Sequence, residues 1–316
     1  MTTFPEPPPD TGSVVTLEET DKPLPKILNP GNRYAYFKTI ARGGKCIIQS
    51  CKDLHLGRVV CYKKLRPEFE NDAVEQQRFL REARISAMLQ HPNTVPTYEL
   101  GRTNRGHYYF TMKLVHGYTL REVLDYRERY DFGQLIDVVQ QVTNALEYAH
   151  ACRVVHRDIK PENILIGPFG EVLILDWGLA KVWSETEQAQ LDDATAATIS
   201  TEQVSHLTGQ GKLQGTITYM SPEQIRRDPA IDYRSDIYSI GVVLFEVLCG
   251  RPPFTGETVN DVREQILQTE PVPPSTYSKF PIPALLDKAA HRCIAKDPEA
   301  RLLDCQQLRR ILNEEW

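Results

Sequence analysis

Three short stretches carry the residue types that could handle a phosphate and a hydroxyl together. "VVHRDIKPENILI", Val154 to Ile166, places Asp158, Lys160 and Asn163 between apolar runs, and "VLILDWGLAKV" follows with Asp176 at the end of another. The third, "TIARGGKCIIQSCKDLHLGRVVCYKKL", Thr39 to Leu65, reads as a phosphate-binding glycine loop in which two glycines are replaced, with Lys63 further along. The chemistry these would serve is phosphoryl transfer, which asks a protein mostly for positioning and charge neutralisation. One carboxylate must face the accepting hydroxyl while separate groups hold metal ions, and a single loop can present both Asp158 and Asn163. Each residue alone has a plainer reading. A lysine on a strand is usually solvated, and Glu82 on an amphipathic helix is usually one more surface charge.

Positioning such a set requires elements of two kinds, and the sequence supplies them in order. From Tyr34 to Lys64 short runs of β-branched and aromatic residues alternate with turn signals, and "DLHLG" between "KCIIQSCK" and "RVVCYKKL" predicts a hairpin. "DAVEQQRFLREARISAML" predicts a helix with Leu80, Ala83, Ala87 and Met88 on its apolar face, ended by "HPN". "HYYFTMKLV" predicts a further strand. Beyond it the pattern turns helical: Leu135, Val139, Val142, Leu146 and Ala149 mark one buried stripe, and Ile237, Ile240, Gly241, Leu244, Val247 and Leu248 mark a second that stops at Gly250. A small β-rich half followed by a larger helical half predicts two lobes joined near "MKLVHG", with a ligand cleft between them.

The "HRDIKPEN" stretch resembles the catalytic loop of eukaryotic-type serine/threonine protein kinases, the family that includes the bacterial Hanks-type enzymes. With the other matches the resemblance covers roughly residues 34 to 313, and "RFLREA" and "HPN" are similar to bacterial members. Residues 1–32, with seven prolines and few large apolar residues, are expected from composition to form a disordered arm. The resemblance implies an α+β, bilobal protein-kinase-like fold with a kinase domain over 33–313. Within that domain it implies an N-lobe to about 112, a hinge over 112–117 and a C-lobe from about 118. By the same resemblance Asp158 orients the hydroxyl and accepts its proton, Lys160 contacts the transferring phosphate, and Asn163 and Asp176 hold magnesium. Lys63 contacts the α- and β-phosphates with Glu82 as its ion-pair partner, and Trp177 replaces the usual phenylalanine after Asp176. Met112 guards the back of the adenine pocket, with Lys113 and Val115 in the hinge. "GTITYMSPEQ" resembles the end of an activation segment. It makes Thr216 the threonine that contacts Asp158 and Lys160, pairs Glu223 with Arg301, and sets Asp236 to brace the catalytic loop. The implied cofactors are ATP and Mg2+, with Mn2+ as a substitute. The implied partners are protein substrates and, for autophosphorylation, a homodimer.

Aligned on Lys63, the glycine-loop positions read Ala41, Gly43 and Cys46, with Gly44 beside the retained glycine and Ile48 after them. Glycines serve there because backbone must approach phosphates without a Cβ in the way. Cys46 puts a side chain at that approach, and Cys61 adds a sulfur atom of bulk against the adenine. Two readings therefore stand: an active kinase with a loosened nucleotide grip, and a pseudokinase that binds nucleotide or partners as a scaffold. A small-molecule phosphotransferase fits less well, because the "SPE" platform serves a peptide. The hydroxyl-rich stretch with Thr195, Thr198, Ser200 and Thr201 suggests regulation, a phosphate there pairing with Arg157.

Composition narrows the field. The 316 residues are 41% hydrophobic, enough for a real core, and a formal net charge of -5 from 37 basic and 42 acidic residues gives no case for a nucleic-acid partner. Seven cysteines without a paired CxxC spacing argue against a disulfide framework and a structural zinc. Cys46, Cys51 and Cys61 read as small buried residues. The longest apolar run, Ile237 to Cys249, is too short to span a bilayer, and "MTTFPEPPPD" lacks the regions of a signal peptide. A cytoplasmic protein without a membrane segment is expected.

Overall fold

The computed structural model describes residues 33–183, 215 and 217–315. The arm over 1–32, and Thr195, Thr198, Ser200, Thr201 and Thr216, lie outside the described residues.

The hairpin patterns fold into a five-stranded antiparallel sheet: β1 (Tyr34–Arg42), β2 (Cys46–Asp53), β3 (Arg58–Leu65), β4 (Thr97–Arg102) and β5 (Tyr108–Lys113), in the order β1-β2-β3-β5-β4. Gly57 closes the β2–β3 turn with φ at 69°, a conformation that glycine adopts without a Cβ penalty. Partners directly opposite in such a ladder share a face. Ile48 lies opposite Lys63, which lies opposite Phe110, and Ser50 lies opposite Cys61, which lies opposite Met112. Ile48, Lys63, Cys61 and Met112 therefore occupy one face. The other carries Tyr62 and Tyr109, stacked at 4.6 Å, with Tyr34 edge-on to both.

Helix α1 (Ala73–Met88) is capped by Asp72, whose carboxylate accepts from the amides of Val74 and Glu75 at 2.9 and 3.1 Å. Its buried face differs from the predicted one. Ala83 is buried as predicted, but Met88 is 63% exposed and Ala87 is exposed, whereas Glu75, Phe79, Glu82 and Ile85 are buried. The helix is rotated because two glutamates face inward to meet lysines. Glu75 pairs with Lys45 at 2.7 Å and Glu82 with Lys63 at 2.5 Å. A pattern that counts Glu as polar and outward selects the wrong stripe.

The helical half assembles around α3 (Phe132–Ala151) and α5 (Arg234–Cys249), with α2 (Leu120–Leu124), α4 (Pro222–Arg226), α6 (Val259–Gln268), α7 (Ala284–Cys293) and α8 (Cys305–Glu315). Both predicted stripes are buried, and α5 is enclosed from Ser235 to Leu248 before Gly250 ends it with φ at 80°. Short strands β6 (Tyr118–Thr119), β8 (Ile164–Ile166) and β9 (Val172–Ile174) form a second sheet, and β7 (Val154–Val155) pairs with β10 (Lys181–Val182). The halves are stapled through Asn93. Its Nδ2 donates to Val172 O at 2.8 Å and Gln141 Oε1 at 3.0 Å, and its carbonyl accepts from the Ile174 amide at 2.9 Å.

Candidate active site

"VVHRDIKPENILI" becomes a loop between β7 and β8 because its apolar ends pair into strands and Pro161 opens a single 3-10 turn over Pro161–Asn163. His156 is fully buried and ties the loop down. Its Nε2 lies 3.1 Å from Leu175 O and its Nδ1 3.2 Å from the Asp158 amide. One tautomer, protonated on Nε2, satisfies both contacts. Arg157 has φ at 68°, and the amides of His156 and Arg157 both donate to Asp236, each at 2.8 Å. Asp236 is wholly enclosed. Burial would raise its pKa, yet the hydrogen bond from His150 at 2.9 Å, the charges around it and the two amides hold it below the ordinary value. The expected brace is present. His150, its third partner, carried no local sequence signal, because it lies on the inner end of α3, 86 positions from the aspartate.

This brace presents three side chains together. Lys160 Nζ lies 2.9 and 2.8 Å from the two Asp158 carboxylate oxygens. Asn163 Nδ2 donates to Asp158 O at 2.8 Å and to Asp158 Oδ2 at 2.9 Å, which leaves the amide's carbonyl oxygen turned away from Asp158. Burial raises the Asp158 pKa despite Lys160, so this carboxylate is a stronger base than a free aspartate.

Asp176 follows β9 with φ at 55° and accepts from the Gly178 amide at 3.1 Å. The positive charge of Lys63 lowers its pKa. Trp177 is buried and edge-on to His156 at 4.5 Å, so the aromatic packs against the catalytic loop. Its Nε1 finds no hydrogen-bond partner among the described residues. Lys63 and Glu82 form a buried pair; burial alone would favour a neutral amine, but Glu82 and Asp176 keep it charged. The sheet and the catalytic loop thus place Lys63, Asp176 and Asp158 within electrostatic reach of one another.

The glycine loop joins β1 to β2. The Gly43 amide donates to Cys46 O at 2.9 Å, and neither Gly43 nor Gly44 takes a positive φ, so Gly44 is retained without a conformational demand. Cys46 lies opposite Leu65 and packs on the cluster formed with Phe79, Ala83 and Phe110. Its thiol is pushed up to about 11, mainly by burial. Cys51 and Cys61, opposite Val60 and Ser50, project from opposite faces of the sheet and cannot share a metal ion. Lys113 is exposed at the end of β5, and Val115 follows it in the connection to β6.

Downstream, Ser221 caps α4 with Pro222 at its first position, and Gln224 closes the capping box. Gln224 also donates to Arg157 O at 2.7 Å, a tie to the catalytic loop that the sequence did not reveal. Glu223 meets Arg301 in a forked pair at 2.6 and 2.8 Å, as expected.

The donor set fits a hard divalent cation. One amide oxygen and one carboxylate is the sparse oxygen coordination that Mg2+ or Mn2+ takes when it binds with a nucleotide.

The model of the protein kinase domain family matches residues 34–316. The chain is 37% identical over 276 residues to a probable serine/threonine-protein kinase of Corynebacterium efficiens, covering 85% of this chain and 39% of that protein. It is 34% identical over 281 residues to serine/threonine-protein kinase PknB of Mycobacterium tuberculosis, covering 88% and 42%. It is 33% identical over 290 residues to serine/threonine-protein kinase PknD of Chlamydia felis, covering 88% and 30%. The chain spans less than half the length of these relatives.

Proposed function

The chain belongs to the protein kinase domain family, and from that premise we propose that it transfers the γ-phosphate of ATP to serine or threonine hydroxyls of protein substrates. The observation that carries this reading is the Asp158–Lys160–Asn163 constellation, held rigidly by Asp236 and set beside Asp176 and the Lys63–Glu82 pair. A bare scaffold has no need of it, and no contact among the described residues favours the pseudokinase alternative.

Asp158 receives the proton of the attacking hydroxyl. Its raised basicity suits that task, and Lys160 leaves the carboxylate to meet the transferring phosphate. Lys63, locked by Glu82, holds the α- and β-phosphates beneath β2 and β3, with Ile48 and Cys61 toward the adenine and Met112 behind it. Asn163 and Asp176 would hold Mg2+ or Mn2+, which when bound neutralises phosphate charge. The domain runs from 33 to 313 with its hinge over 112–117. Its partners are protein substrates and a second copy during autophosphorylation.

Autophosphorylation between Thr195 and Thr208 would raise activity through Arg157. Mass spectrometry after incubation with ATP and Mg2+ is expected to find phosphate on Thr195, Thr198, Ser200 or Thr201. Phosphate confined to other regions, or activity indifferent to phosphatase, would defeat this regulatory reading. Phosphoamino-acid analysis tests the class of acceptor, and phosphotyrosine as the main product would contradict it.

A further inference from the structure

A second polar cluster joins four elements far apart in sequence. Arg121 of α2 forks onto Glu246 of α5, with Nη1 2.8 Å from Oε1 and Nη2 3.2 Å from Oε2. Its Nε donates to Glu162 of the catalytic loop at 3.2 Å. Nη2 also donates to the Tyr219 hydroxyl, which in turn donates to Glu246. Tyr219 and Glu246 are buried, and burial together with the Glu246 carboxylate keeps the phenol neutral and able to donate.

Asp236 grips the loop by its first two residues, His156 and Arg157. Glu162 stands at the other end, next to Asn163. Tyr219 stands two residues before the Ser221 cap of α4, in the segment that the kinase reading assigns to the peptide substrate. We propose that Arg121 is a positioning residue which locks the metal-holding end of the catalytic loop to the peptide-facing segment. The inference rests on the kinase reading for its catalytic consequence. Only a planar guanidinium can serve three acceptors in fixed directions, and a lysine at this position would satisfy Glu246 while releasing Glu162 or Tyr219.

The test uses the full chain and its Tyr219→Phe, Glu162→Gln and Arg121→Lys variants, followed by peptide-resolved hydrogen exchange. Tyr219→Phe is expected to speed exchange over 156–163, and Glu162→Gln to speed it over 217–221, each at least fivefold, with β3 unchanged. In phosphate-transfer assays Arg121→Lys is expected to lower kcat at least tenfold while the KM for ATP stays within twofold. Exchange changes confined to the substituted element overturn the coupling. A kcat for Arg121→Lys within twofold of the parent overturns its positioning role. A parent that transfers no phosphate overturns the proposed function instead, and the exchange data still decide whether the coupling exists.

Discussion

Lys63 and Glu82 meet at 2.5 Å with little exposure on either side chain, so each is the other's main compensation for lost water. Lys63→Met is therefore expected to do two things. It removes the phosphate contact and abolishes transfer, and it strands a buried carboxylate, lowering unfolding stability by about 3 kcal/mol. Denaturant titration beside an activity assay separates the two effects; unchanged stability would show that Glu82 finds other compensation. At Asp158 burial outweighs the pull of Lys160 and raises the pKa. Between the ordinary aspartate value and the raised one, the folded chain binds more protons than the unfolded chain. Stability contributed by Asp158 thus declines as pH rises through that window. A proton acceptor must be ionised, so kcat/KM is expected to fall on acidification at a pH above about 3.9, the ordinary aspartate pKa. A profile that stays flat down to that value would contradict the role given to this carboxylate.

The glycine-loop hairpin shows how an element can keep its shape after losing residues that usually build it. Its turn closes through Gly43, and Cys46 packs inward on the β-sheet and α1. Cys46→Gly is expected to lower the KM for ATP by about fivefold, on the order of 1 kcal/mol, by letting backbone approach the phosphates. Isothermal titration or initial-rate kinetics would reveal it, and weaker ATP affinity would mean that Cys46 supports the loop rather than obstructing it. Elements of this kind were largely legible in sequence. The buried stripes of α3 and α5 follow from local periodicity, and the β2–β3 hairpin and the stop at Gly250 from turn signals, whereas β4 carried no such signal and was not anticipated. The face of α1 was not legible from periodicity, because Glu75 and Glu82 point inward toward Lys45 of the β1–β2 turn and Lys63 of β3, which the helix sequence cannot mention. His150, Gln224 and Arg121 escaped for the same reason. Their partners lie 67 or more positions away in most cases, and only the folded chain brings them together.

At the scale of the molecule, each half contributes what the other lacks. The sheet and α1 fix a buried cation, the helical half fixes the acceptor loop, and Asn93 with the cluster around Trp177 holds them in register. Ile85 and Leu89 belong to the same buried cluster as the catalytic-loop residues Ile159 and Ile164, so a shift of α1 is felt at the site. On the proposed function, this assembly transfers phosphate and Asp158 accepts the proton. The direct measurement is transfer of label from γ-labelled ATP, with Mg2+, to a protein substrate by the parent and by Asp158→Asn, both shown folded by circular dichroism. Label on serine or threonine is expected with the parent, and a loss of at least about a hundredfold in the variant. A silent parent, or a variant as fast as the parent, would contradict it.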